Sequence, residues 1–245
     1  VTAPPPPPAT ALEFDTAFFG VGVASAGRLT GSDEELARLE EWCRSHDIEL
    51  AYAWCDDDAT VATRLERQGF VHVDTLVRLE WPRTAPPAPS PLLGEVTIRR
   101  AVAADVEPLG AMASANHRQS RFYADPRLAD ERCDELYRQW IVGECEGDAV
   151  VLVADIGDVP AGYCSCLVDD AARRGTISLF GVAPDLRGRG VGARLLDAAG
   201  GVFFDARVRT VEVATQAGNE AALALYQRHG FVVVERRRRF HRWLR

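Results

Sequence analysis

Short apolar runs separated by turn residues dominate the second half of the chain. Residues 149–154, 161–167 and 176–182 are three such runs, each short enough for a strand. Gly157-Asp158 separates the first pair, and a polar Asp-Asp-Ala-Ala-Arg-Arg-Gly stretch the second. That pattern predicts three strands joined as antiparallel hairpins. Residues 96–100 read as a further strand, and 103–115 and 129–142 as helices, the latter with Leu136 and Trp140 at helical spacing. Over 190–206, Val191, Leu195, Ala198, Val202 and Ala206 form one stripe, so a helix is expected despite Gly200 and Gly201 inside it. A strand at 208–214, a helix at 219–229 and two closing strands complete the reading.

The first half ends in the same way as the second. Leu65-Glu66-Arg67-Gln68-Gly69-Phe70-Val71-His72-Val73-Asp74 matches Tyr226-Gln227-Arg228-His229-Gly230-Phe231-Val232-Val233-Val234-Glu235 at a constant spacing of 161 (69 to 230). The amphipathic run 34–44 and the strand-like run 48–54 fall, at that spacing, on 195–205 and 209–215. Helix, strand, helix, Gly-Phe turn and strand recur in one order, as an internal duplication would produce. Proline clusters punctuate the chain at 4–8 and at Pro86, Pro87, Pro89 and Pro91. Such segments favour polyproline II and cannot join packed elements. The expected organisation is a disordered tail at 1–10, a smaller domain at 11–83, a linker at 84–93 and a complete domain at 94–245.

Composition narrows the chemistry. At 47% hydrophobic and 26% charged over 245 residues, the chain has enough apolar material for one large or two small domains. A formal net charge of −8 argues against general nucleic-acid binding. Every basic residue is Arg, so P-loop and Schiff-base lysine chemistry is excluded. The six cysteines form no CxxC pair and the five histidines no metal-ligand spacing, so no metal is expected. Cys164 and Cys166, two apart on a strand, read as core thiols on one face. No apolar run is long enough to span a membrane and the N-terminus has no signal-like pattern; the expectation is a cytoplasmic protein.

The informative segment is Leu179-Phe180-Gly181-Val182-Ala183-Pro184-Asp185-Leu186-Arg187-Gly188-Arg189-Gly190-Val191-Gly192, where a strand passes through a glycine-rich turn into a helix. Free N–H groups at a helix start make an anion site, and Arg187 and Arg189 add charge; a pyrophosphate fits. Downstream, Asn219 is a good N-cap, and Tyr226 lies almost two turns later on the same helix face.

The pattern Arg187-x-x-Gly190-x-Gly192 followed by Asn219, Tyr226 and Gly230-Phe231 resembles the acetyl-CoA signature of the GCN5-related N-acetyltransferases (GNAT), over 97–245. The resemblance implies an α+β fold, a mixed, mostly antiparallel sheet with flanking helices. It also implies acetyl-CoA as cosubstrate, with its pyrophosphate on the backbone of Arg187, Gly188, Arg189, Gly190, Val191 and Gly192. Two strands are expected to splay, the first ending at Phe180, Gly181 and Val182, leaving backbone groups for the pantetheine arm. Tyr226 would be the acid that protonates the departing thiolate.

A narrower resemblance spans nearly the whole chain. Residues 12–20, Gln119-Ser120-Arg121-Phe122, Gln139-Trp140-Ile141 and 214–219 are similar to the dTDP-fucosamine acetyltransferases, which acetylate a 4-amino-4,6-dideoxy sugar on its nucleotide diphosphate. These enzymes place a truncated GNAT-like half before a complete one. The first half here lacks RxxGxG and has Leu65 at the Tyr226 position, so it should not bind acetyl-CoA. Gln119, Ser120, Arg121, Phe122 and Trp140 become candidate acceptor-binding residues, with Arg121 either a diphosphate ligand or a surface ion-pair partner. The base is left open among His117, Glu212 and water. The arginine run 236–239 reads as a solvated edge paired with acids, or as a phosphate site. The partners expected are small molecules, and homodimerisation is left open. Two other functions stay in play: acetylation of a protein N-terminus, polyamine or antibiotic amine, and a non-catalytic acyl-CoA-binding module.

Overall fold

The computed structural model describes residues 6–82 and 96–245; the linker read at 84–93 and the first part of the tail lie outside them. The element order is β1 (Thr10–Ala11), α1 (Glu13–Phe19), β2 (Val23–Arg28), α2 (Asp33–Ser45), β3 (Leu50–Asp56), α3 (Ala59–Arg67) and β4 (Val71–Pro82). It continues with β5 (Val96–Arg100), α4 (Val106–Asn116), α5 (Asp130–Glu146), β6 (Val150–Ile156), β7 (Val159–Asp169) and β8 (Arg174–Val182). Then come α6 (Val191–Asp205), β9 (Thr210–Gln216), α7 (Glu220–Arg228) and β10 (Val232–Trp243).

Two compact units result. The first gathers the chain up to Leu76 with Ser120–Leu128 and Arg236–Arg245; the second is Val77–Gln119 with Ala129–Glu235. In the first unit β2 and β3 are parallel, β1 pairs antiparallel with β2, and the end of β10 pairs antiparallel with β3 from Arg237↔Asp56 to Trp243↔Leu50. Its helices start where side chains supply the missing acceptors. Ser32 caps α2 by accepting from the Glu35 N–H, and Asp58 caps α3 by accepting from the Thr60 N–H at 2.7 Å. Leu36, Leu39, Cys43, Ala62, Leu65, Phe70 and Phe240 form its core. Of the residues read as a tail, Ala9 is buried in that core and Thr10 opens β1.

The second unit is the larger α+β body. β5, β6, β7 and β8 form an antiparallel run, and β8 pairs with β9 in parallel. The face of α6 that enters the core carries Val191, Leu195, Leu196, Ala199 and Phe203 beside Ile177, Val211 and Val213; of the expected stripe, Ala198, Val202 and Ala206 are only partly buried at its margin. Gly201 has open space where a Cβ would stand, while Gly200 lines a cavity of about 340 Å³ with Leu196 and Phe203. Arg99 on β5 grips the nearly buried carboxylates of Asp105 and Asp155, each at 2.6 Å, tying two strands to the turn before α4. Cys164 and Cys166 are both buried, with their sulfurs 3.9 Å apart, as their same-face reading required.

One sequence expectation is corrected. Two closing strands were expected, but residues 232–243 form a single strand of 12 residues. No turn residue interrupts them, and the arginines continue the extended backbone because acids on neighbouring elements take their heads. Arg238 pairs with Asp57 at 2.7 Å, Arg239 makes a two-pronged pair with Asp74, and Arg237 lies 4.2 Å over the Trp54 ring. Three members of the 236–239 run are thus engaged within the first unit.

Candidate active site

In the second unit, β8 and β9 stay together only from Arg174↔Thr210 to Ile177↔Val213. Beyond that, β8 runs on to Val182 paired with β7 alone, and β9 runs on to Gln216. The cause is visible in the β7–β8 ladder, whose register slips by one residue between Cys166↔Ile177 and Cys164↔Phe180. An extra residue in one strand bends and twists it locally. β8 therefore diverges from β9 at the slip, and its edge from Ser178 onward presents backbone groups with no ladder partner on that side.

At the end of β8 the chain makes one tight turn, Pro184–Leu186, and enters α6 through Gly188 at φ 76° and Gly190 at φ 80°. Both angles lie where side chains cost energy, so the glycines are required by the turn itself. Gly190 caps α6 without a side-chain acceptor, leaving the N–H groups of the first turn to an external anion. The Arg187 side chain is spoken for: it donates to Asn116 Oδ1 at 2.7 Å and to the Val182 carbonyl at 3.2 Å. Its part is to lock the loop to the end of β8, while Arg189 is exposed.

Tyr226 sits on α7, whose start is fixed by Asn219 accepting from the Ala222 N–H at 3.2 Å. Its ring is 3% exposed, 6.0 Å from the Phe180 ring and 5.7 Å from that of Phe231. Gly192 on α6 lets α7 approach, since a Cβ there would stand 3.0 Å from Leu225 Cδ2 and 3.4 Å from Phe180 Cζ. Loop, β8 end and tyrosine thus share one packed corner. Among the described residues nothing hydrogen-bonds the Tyr226 hydroxyl. Burial pushes its ionisation well above the usual range, so the phenol keeps its proton.

The base candidates are both occupied. His117 Nε2 is 2.8 Å from the Tyr163 hydroxyl, its ring stacks on Tyr137 at 4.4 Å, and Trp140 meets Tyr137 edge-on at 5.1 Å. Burial lowers the His117 pKa to about 4, leaving it neutral but weakly basic. Glu212 is held by Arg174 and, at 3.3 Å, by Arg78, which also pairs with Glu80 and Glu235. Asn116 was not foreseen from the sequence. Besides holding Arg187, it leaves a buried Nδ2 without a partner, beside Gly181, where a Cβ would stand 2.6 Å from it. A lone asparagine at a helix end carries no periodic signal that could have marked it.

The acceptor-side candidates are divided between the two units. Gln119 and Trp140 belong to the second unit, and Ser120, Arg121 and Phe122 to the first. Among the described residues no three His, Cys, Asp or Glu side chains converge as a metal centre would, and no helix is long and apolar enough to cross a membrane.

A splayed strand pair, an open helix start and a buried protonated tyrosine meet at one corner. The chain belongs to the GNAT family: the family model described as "Acetyltransferase (GNAT) family" matches residues 113–231. Over 228 residues the chain is 32% identical to dTDP-fucosamine acetyltransferase of Escherichia coli O6:H1, covering 89% of this chain and 91% of that one. Spore coat polysaccharide biosynthesis protein SpsD of Bacillus subtilis is 28% identical over 57% of this chain and 48% of its own. Among solved structures, a GCN5-related N-acetyltransferase from Sphaerobacter thermophilus aligns over 97% of this chain and 76% of its own, with a TM-score of 0.67 and 22% identity. That likeness establishes the shared fold.

Proposed function

We propose that this acetyltransferase moves an acetyl group from acetyl-CoA to the amine of a nucleotide-linked amino sugar of the 4-amino-4,6-dideoxyhexose type. The observation that carries the acetyl-CoA assignment is the divergence of β8 from β9 immediately before the Gly188–Gly190 turn. The unpaired β8 edge suits an amide-bearing pantetheine arm, and the uncapped α6 start suits a pyrophosphate. The acceptor class rests on the near full-length similarity to dTDP-fucosamine acetyltransferase.

The reaction is direct attack of a neutral amine on the thioester carbon, forming the C–N bond and breaking the C–S bond. Backbone N–H groups on the open β8 edge are placed to polarise the thioester carbonyl. Tyr226, protonated across the neutral range, donates its proton to the departing sulfur and regains one from solvent before the next turnover. The amine's proton passes to water, because His117 is too weak a base and Glu212 is committed to Arg78 and Arg174. Phe180, Gly181 and Val182 supply the strand end, Arg187 to Gly192 the loop, and Asn219 holds α7 at the angle that presents Tyr226.

Thiol release from acetyl-CoA in the presence of different amines tests the reading. It is expected with 4-amino sugar nucleotides and not with peptides, polyamines or aminoglycosides. Release with one of the latter alone would replace the acceptor, and tight acetyl-CoA binding without release to any amine would remove the catalytic assignment.

A further inference from the structure

The first unit holds a cation set apart from most of the chain's other arginines. The Arg121 guanidinium lies 4.1 Å above the Tyr52 ring and 4.6 Å above that of Phe122. Aromatic faces on two sides fix it in place without using its N–H donors. Among the described residues no oxygen accepts a hydrogen bond from it. The nearby Arg239 is already taken by Asp74, and Asp15 and Asp74 act on Arg121 only through space.

Three further polar atoms around Arg121 are buried: Tyr52 Oη, which faces the Asp15 carboxylate, and Ser120 Oγ and His241 Nε2, which have no partner among the described residues. Their residues are 3%, 3% and 1% exposed. Tyr52 and His241 have ring centres 4.6 Å apart, and Ser120 adjoins Arg121 in the chain. His241 is held in one orientation because its Nδ1 is 2.7 Å from Asp125 Oδ2, which also accepts from Trp243 Nε1 at 2.9 Å. That pairing keeps the proton on Nδ1 and leaves Nε2 as an acceptor. Buried polar atoms without partners are costly, and two of them around one unpaired cation describe a site that is completed by a ligand.

We propose that Arg121, Tyr52, Ser120 and His241 form a phosphoryl-binding subsite in the first unit. The planar Arg121 fork suits two oxygens of one phosphoryl group, and two hydroxyls add donors that a carboxylate could not all use. His241 Nε2 accepts from a hydroxyl of the same ligand. The inference draws on the proposed function only for the source of the phosphoryl group, which is either the diphosphate of the acceptor or a separate phosphorylated molecule. It gives the half without an acetyl-CoA loop a binding task of its own.

The test is calorimetric titration of the full chain with inorganic pyrophosphate and with thymidine diphosphate, alongside competition against the acceptor in the thiol-release assay. Arg121→Gln should weaken both ligands by about tenfold or more, the loss expected for one charge-assisted pair. Tyr52→Phe, which removes only a hydroxyl, should weaken them by a smaller factor. Arg238→Gln, which alters an arginine paired with Asp57, should leave both affinities unchanged. Competitive inhibition by thymidine diphosphate identifies the acceptor as the source, and non-competitive inhibition a separate ligand. Affinities unchanged in both Arg121→Gln and Tyr52→Phe, or no binding to the unaltered chain, overturn the subsite. If Arg121-dependent binding persists while no sugar nucleotide is acetylated, the acceptor assignment fails and the subsite stands.

Discussion

Tyr226 in the second unit stands where Leu65 stands in the first. Each is buried near the end of a helix that gives way to a glycine of positive φ, Gly69 at 83° and Gly230 at 86°, and then to a buried phenylalanine, Phe70 or Phe231. The local fold therefore asks only for a large side chain at this position; the hydroxyl is surplus to packing. Tyr226→Phe should accordingly lower kcat by about 100-fold or more, the usual scale for losing a general acid. The KM for acetyl-CoA should stay within about twofold and the melting temperature should hardly move, because among the described residues nothing bonds the hydroxyl. Steady-state kinetics and a melt on the same preparation check this, and an unchanged kcat across pH would remove Tyr226 from the chemistry.

Gly190 and Gly201 separate a glycine needed for conformation from one that is not. At φ 80°, Gly190→Ala places a side chain in the left-handed region at a cost of about 1–2 kcal/mol. If the loop holds the pyrophosphate, acetyl-CoA should bind about tenfold more weakly. Gly201→Ala puts a methyl into open space inside a helix and should stabilise the protein by about 0.5–1 kcal/mol without changing kinetics. Chemical denaturation and acetyl-CoA titration of the two variants make the comparison.

Glu212→Gln discriminates a base from a structural acid. With Arg78 and Arg174 holding Glu212, the amide should leave kcat within about twofold of the unaltered chain. It should reduce stability by about 1–2 kcal/mol, as expected for a partly buried ion-pair cluster. A large fall in kcat with stability preserved would reinstate Glu212 as the base.

The depressed pKa of His117 sets a direction for acid sensitivity. An unfolded histidine takes up a proton near 6.5, whereas folded His117 refuses it until about 4. Between those values the unfolded state binds more protons, so stability is complete above about pH 6.5 and is lost as pH falls towards 4. The loss is on the order of 1–3 kcal/mol. Urea unfolding at several pH values should show a shallower slope for His117→Gln than for the unaltered chain; equal slopes would contradict the assignment.

The strands and helices of the second unit were legible because their periods are clean, and the loop and Tyr226 because turn chemistry and capping leave marks at fixed spacing. The Gly69 and Gly230 turns were legible for the same reason. What could not be read comes from contacts distant in sequence. The one-residue slip between β7 and β8 depends on how Cys164 and Cys166 meet Phe180 and Ile177. The placement of Ser120–Leu128 in the first unit depends on Asp125 meeting His241 and Trp243, more than a hundred residues away. Which acids and ring the arginines of β10 meet, Asp57, Asp74 and Trp54, depends likewise on residues far away in the chain.

Mass spectrometry of a 4-amino-4,6-dideoxyhexose nucleotide after incubation with acetyl-CoA and the full chain tests the central claim most directly. The account predicts one acetyl group on the sugar nitrogen, with one equivalent of free thiol released and both lost in Tyr226→Phe. Thiol release with the sugar nucleotide recovered unmodified, or acetylation that persists undiminished in Tyr226→Phe, would contradict it.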